Sequence, residues 1–214
     1  MMGWLNEEVN GKGLDFVVFN GDLIHDNPEF LPQVKQQYDR LECPYFCSRG
    51  NHDQVSNQLW EQTWGYGLNH VVEKDNYVLL LGDTSNQKGE YVCADIKWLG
   101  EQLRKFSSKK HIFVFLHISQ RKWTSAGIDC PEVTALLEKT PNVSAVFHGH
   151  DHHLDHEFLS GGLPYFFDGH IGGNWGAPYR GYRIVEVLQD DKVRTYQCNP
   201  QAFFVNNSVL KPRI

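Results

Sequence analysis

The stretch Val143-Ser144-Ala145-Val146-Phe147-His148-Gly149-His150-Asp151-His152 decides the reading of the chain. Its first half is apolar and rich in β-branched residues, as a buried strand requires. Its second half sets two imidazoles at i and i+2 just past the strand, where both reach the same side and one metal site. Gly149 lets the backbone turn tightly between them and the strand. In a chain with 11 histidines a lone His-x-His is weak evidence. Three other stretches repeat the arrangement: Asn20-Gly21-Asp22, Gly50-Asn51-His52-Asp53, and His117 closing the apolar residues 111–116. Each puts a metal-competent side chain past an apolar run, and the carboxyl edge of an open α/β sheet is where ligands bind.

The chain has 214 residues, enough for one α/β domain with a sizeable core. Its net charge of −6 lacks the basic footprint of nonspecific nucleic-acid binding. No apolar run approaches the ~18 residues of a membrane span. Met1-Met2-Gly3-Trp4 carries no basic region and no long apolar stretch, so it does not read as a secretion signal. The expectation is a cytoplasmic protein, weakened by an N-terminus that reads as incomplete. Cys43, Cys47, Cys93, Cys130 and Cys198 are odd in number and form no Cys-x-x-Cys pair, so all five are expected to be reduced and structural.

In order, the patterns predict a helix within residues 1–13, a strand at 15–20 and a helix carrying Phe30, Leu31, Val34, Tyr38 and Leu41. A strand at 44–48 follows, then helical turns at 57–64 and a hairpin of 69–74 with 76–81. Asp95 reads as the N-cap of a helix carrying Ile96, Leu99 and Leu103. Then come strand 111–117, helix 131–139, strand 143–148, strand 164–167 and an antiparallel pair, 181–188 with 192–198. The polar tail after Pro200 is expected to be loosely held. The whole reads as a single domain over 1–214, an α/β fold in which two mixed sheets form a four-layer α/β/β/α sandwich.

Taken together, Gly-Asp, Gly-Asn-His-Asp, His and Gly-His-x-His resemble the calcineurin-like metallophosphoesterase superfamily, over the span from Asn20 to His152. The resemblance implies a dinuclear metal site and hydrolysis of a small phosphodiester or phosphomonoester by a metal-activated hydroxide. It makes Asp22 the bridging ligand. Asn51, His117 and His150 complete one metal, and His152 binds the other. His52 faces the substrate, to stabilise the transition state or protonate the leaving oxygen, with Asp53 placed to orient it. Mixed N/O ligation of this kind suits manganese, iron or zinc. The chemistry agrees: two metals clamp a phosphate and lower the pKa of a bound water, and an adjacent histidine is a natural general acid.

One element departs from that pattern. The superfamily begins with Asp-x-His at the end of a first strand, and no such motif precedes Gly21. Residues 1–13 resemble the crossover helix that follows this strand. The first strand is therefore expected to be missing from an N-terminally incomplete domain, leaving a gap in the sheet and an unpaired edge. Asp168-Gly169-His170 has the Asp-x-His form, although a loop role beside Gly172-Gly173 is the plainer reading. Without a replacement, Asp22 and His152 alone are too few for a second metal. At most one well-occupied ion, at the Asn51, His117 and His150 side, and weak or absent activity are expected. The alternative is a catalytically inert remnant serving as a binding or structural module. A nuclease is disfavoured by the acidic balance. Among the remaining residues, His148 is expected to be buried and hydrogen-bonded, and His153 and His156 to lie on a solvated loop. Asp83 is expected in a turn, and His25 either near substrate or at the surface. Trp175, Tyr179 and Arg180 are expected to line a substrate pocket or pack on their loop. Oligomeric state is not indicated.

Overall fold

The computed structural model describes residues 1–173, 175–201 and 204–210. Helix α1 (Met2–Glu8) runs into a wider helical turn, Val9–Gly13. Strand β1 (Val17–Asn20) pairs in parallel with β2 (Tyr45–Ser48), and α2 (Leu31–Tyr38) forms the crossover between them. After α3 (Asn57–Trp64) comes the predicted hairpin, β3 (His70–Glu73) with β4 (Tyr77–Gly82). Asp95 caps α4 (Ile96–Lys105), its carboxylate accepting from Trp98 N–H at 3.0 Å. Strand β5 (His111–Leu116), helix α5 (Pro131–Lys139) and strand β6 (Val143–His148) follow as the periodicity predicts. Strands β7 (His156–Ser160), β8 (Leu163–Phe167), β9 (Tyr182–Val187), β10 (Val193–Cys198) and β11 (Phe204–Leu210) complete the order.

The six-stranded sheet runs β3-β4-β5-β6-β8-β7, with four parallel strands inside two antiparallel edges. Its inner strands β4, β5, β6 and β8 are buried on both faces, and the faces alternate as strand geometry demands. Val78 and Leu80 of β4 pack with Leu99, Leu103, Val133 and Leu137 of α4 and α5. Leu79 and Leu81 point the other way, into a core shared with Val18, Phe46 and Val193. The remaining side of β1 and β2, through Phe19 and Cys47, packs with Leu5, Leu31 and Trp60 of α1, α2 and α3. These three cores lie where the helices pack on the strands and the strands on one another, in a mixed α/β fold.

The second sheet layer is in two pieces, β1–β2 and β9–β11. Among the described residues β1 pairs only with β2 and β9 only with β10. Both line one groove of about 930 Å³, floored by Leu79, Phe113, Phe115 and Phe147. The unpaired edge expected from the sequence is the β1 side of this groove.

Several expectations change. Cys93 and Cys130 form a disulfide, so the reading of five reduced cysteines is wrong; an odd count with a 37-residue separation gave no sign of the pairing. His156 opens β7 rather than lying in a loop. Part of the tail after Pro200 is ordered as β11 against β10, while Ala202, Phe203 and residues 211–214 lie outside the described residues. No helix among the described residues is long and apolar enough to cross a membrane.

Candidate metal centre

Strands β1, β2, β5 and β6 end at one place because each adjacent pair is parallel and Asn20 ties the two layers together. Its amide donates to Phe147 O of β6 at 3.0 Å, its Oδ1 accepts from Ser48 Oγ of β2 at 2.7 Å, and its backbone oxygen lies 2.6 Å from His117 Nδ1. The sequence reading quoted Asn20 without a role; its half-buried carboxamide holds the strand ends in register. Gly21 follows with φ +82°, and a Cβ there would overlap the His117 ring. Only glycine brings β1 so close to the imidazole.

Asp22, His117 and His150 converge, each offering one ligand atom within 4.8 Å of the others. The contact between Asp22 and His117 is chemically unusual. His117 Nδ1 faces Asn20 O, which can only accept, so the proton of the neutral ring sits on Nδ1 and Nε2 is left to take either a metal ion or a second proton. That Nε2 lies 3.2 Å from Asp22 Oδ2, is buried, and has no hydrogen-bond partner. Asn51 Oδ1 is likewise buried without a partner. Lone pairs converging inside a protein cost desolvation energy unless a cation or a proton meets them. Without a cation, burial pushes the His117 pKa down but the Asp22 carboxylate outweighs it, and the net direction is up. Asp22 is held far below the usual carboxylate range: burial opposes ionisation, and His117 with the His52 N–H overcomes it. Burial, then the neighbouring His117, push His150 down to about 4, which keeps it neutral and able to ligate.

Asp22, Asp26 and His150 are three of the four described non-glycine residues with positive φ, at 52°, 60° and 65°. Local strain is thus gathered at this one edge, as it is at functional sites.

His52 stands beside the group rather than in it. Its backbone N–H donates to Asp22 Oδ1 at 2.9 Å, and its ring stacks on His25 at 4.4 Å. The expectation that Asp53 orients this ring is wrong. Asp53 is fully buried and turns inward, accepting from Ile24 N at 2.9 Å and Gly50 N at 2.8 Å. The partner of His52 Nδ1 is Asp26 Oδ1 at 2.8 Å, and Gln54 holds the same oxygen at 2.8 Å. The sequence reading missed Asp26, although it lies four residues past Asp22 on the same loop.

His152 is not in the three-residue group. Its ring stacks on Trp175 at 4.6 Å and lies 5.4 Å from the His170 ring, and Nδ1 of both histidines is buried without a partner. Asp168 does not replace an Asp-x-His carboxylate: Arg183 Nε binds both its oxygens, at 2.8 and 3.1 Å. His148 is buried and hydrogen-bonded to Leu116 O at 2.7 Å, as expected. Asp83, expected in a turn, pairs with the buried Arg49 at 2.6 Å.

Asp53 carries a testable consequence. Burial, first, and then the Asp22 charge push its carboxyl up to about 7, against the backbone N–H donors. The folded chain therefore keeps a proton that the unfolded chain releases near pH ~4. The associated stability is full at low pH and is lost as pH rises through that window. Denaturant titrations of the metal-free chain at several pH values will show a flatter pH dependence for Asp53→Asn than for the wild type.

Asp22, His117 and His150 thus form a group at the strand ends that could hold a metal ion. The sequence model of the calcineurin-like phosphoesterase family matches residues 2–154, and the chain belongs to that family of hydrolases acting on phosphate esters. It is 28% identical over 157 residues to a probable glycerophosphodiester phosphodiesterase of Arcobacter nitrofigilis, covering 65% of this chain and 57% of the relative. It is 24% identical over 159 residues to a probable cyclic nucleotide phosphodiesterase of Psychrobacter arcticus, covering 64% and 57%. The chain thus spans somewhat over half the length of these relatives. Its fold is similar to that of a dimetal phosphatase from Danio rerio, with TM-score 0.73 and 14% identity over 99% of this chain and 89% of the other. The phosphoesterase YfkN of Bacillus subtilis is a more distant likeness, at TM-score 0.51 and 13% identity over 98% and 80%.

Proposed function

We propose that this chain hydrolyses phosphodiesters, using a divalent ion held by Asp22, Asn51, His117 and His150, with His52 as proton donor. The carrying observation is the convergence of Asp22, His117 and His150 ligand atoms within 4.8 Å, with Asp22 Oδ2 3.2 Å from the buried His117 Nε2. The donors fit manganese, iron or zinc, being neutral nitrogens and oxygens with a single carboxylate. When bound, such an ion neutralises phosphoryl oxygens and lowers the pKa of a coordinated water. The chain's own residues supply the rest. Asn20 fixes the His117 tautomer, and Asp22 both ligates and holds the His52 loop. Asp26 orients His52 through its contact with Nδ1. As water attacks phosphorus and loses its proton to solvent, the bond to the leaving oxygen breaks and the His52 proton passes to that oxygen; His52 then takes a proton back from solvent. His152 needs further ligands before it can hold a second ion, so this chain alone is proposed to bind one.

A diester is favoured over a monoester by charge. Among the described residues lining the cleft, the Lys and Arg side chains are Lys12 and Arg183. Both are spent, Lys12 on Glu8 at 2.9 Å and Arg183 on Asp168 at 2.8 Å. A singly charged phosphodiester asks less of such a site than a monoester dianion. With manganese added, turnover of bis-p-nitrophenyl phosphate is expected to exceed that of p-nitrophenyl phosphate. A monoester preference overturns the diester assignment. Absence of turnover with both favours the inert-module reading.

A further inference from the structure

A second group of ligand-type side chains stands beside the strand-end cluster. His25, Asp26 and His52 each offer one ligand atom within 4.8 Å of the others. Asp26 turns one oxygen to each histidine: Oδ1 is 2.8 Å from His52 Nδ1, and Oδ2 is 3.9 Å from His25 Nε2. The two rings stack at 4.4 Å, with their planes 27° apart. The main chain imposes this approach. Asp26 N donates to His52 O at 2.9 Å, Asn27 N to His25 O at 2.9 Å, and Ile24 N to the buried Asp53 at 2.9 Å, with Asp26 held at φ +60°. The His25 ring makes no hydrogen bond among the described residues, and its side chain is 67% exposed. Its nitrogens are therefore committed to no protein group.

From this arrangement we infer that His25, Asp26 and His52 form a zinc site separate from the strand-end ion, and that zinc bound there shuts off hydrolysis. The inhibition rests on the reading of His52 as proton donor; the site does not. Two imidazoles and one carboxylate are a donor set that zinc takes, with water in the fourth position. Tetrahedral ligands ~2.0–2.1 Å from zinc lie about 3.3 Å apart, so closing from at most 4.8 Å asks a movement of about 1.5 Å. Asp26 and His52 are also partly exposed, at 46% and 30%, so the three side chains have room to close and one side stays open to water. Manganese stands lower than zinc in the affinity order for nitrogen donors and fills the site only weakly. Binding there displaces a proton from the His52–Asp26 pair to solvent. His52 is then a neutral ligand with no imidazolium proton to give the leaving oxygen, and Asp26 holds the ion instead of orienting the ring.

Equilibrium dialysis against zinc, with the wild type, His25→Ala and His117→Ala, tests the site. His25→Ala should hold one zinc ion fewer than the wild type. His117→Ala lacks a strand-end ligand and should keep the ion that His25 helps to hold. Equal zinc in the wild type and His25→Ala overturns the site, and so does loss of all zinc in His117→Ala. Zinc added to the manganese-loaded chain tests the consequence, with diphenyl phosphate as substrate because phenolate is a poorer leaving group than p-nitrophenolate and calls on the proton donor. Turnover should fall about 10²-fold in the wild type and by less than half as many decades in His25→Ala. An equal fall in both variants, or none in the wild type, overturns the inhibition. If manganese supports no turnover, the hydrolase reading fails and the inhibition with it, while the dialysis still decides the site.

Discussion

Asp22→Asn is expected to abolish metal binding and hydrolysis together, with kcat/KM falling about 10³-fold, while the fold survives. Asparagine tolerates the positive φ of this position, and its amide oxygen can still accept the His52 N–H. What it lacks is the charge. Asp22 is the single carboxylate in the proposed ligand set, so the variant leaves only neutral donors around a divalent ion. The paired readouts are bound manganese by elemental analysis and turnover of bis-p-nitrophenyl phosphate. Full turnover without the carboxylate would remove Asp22 from the chemistry and reduce its bond to His52 to loop architecture.

His52→Ala is expected to separate chemistry from metal. Turnover should fall by about 10²–10⁴-fold, the usual worth of a positioned general acid, with bound manganese unchanged. The loss should be greatest for a poor leaving group such as an alkoxide and least for p-nitrophenolate, which departs without a proton. Asp26→Ala should follow the same pattern at about 10- to 100-fold, because it removes the partner that orients the ring. A uniform loss across leaving groups would mean that His52 binds substrate and does not transfer the proton.

The sheet of this protein was legible because its strands obey period two. Leu79 and Leu81 turn to one core, Val78 and Leu80 to another, and no other register buries all four. Ligand candidates were legible because they end apolar runs in a fixed order. What escaped was set by contacts between residues distant in sequence. Asp53 adjoins His52, but two backbone N–H groups draw it inward, and Asp26 reaches the imidazole instead. Cys93, just before α4, and Cys130, just before α5, meet where those two helices share one core. β11, with Asn206, Asn207 and Ser208, lacks the apolar alternation of a buried strand; it is defined by pairing with β10. The groove between β1 and β9 follows from an expected unpaired edge, but its apolar floor of Phe113, Phe115 and Phe147 could be placed only in three dimensions.

The central claim is that Asp22, Asn51, His117 and His150 hold a metal ion. Equilibrium dialysis of the purified chain against manganese, with His117→Ala in parallel, tests it most directly. We expect one tightly bound ion per chain in the wild type and none in the variant. An identical isotherm for both proteins, or no binding by either, would contradict it.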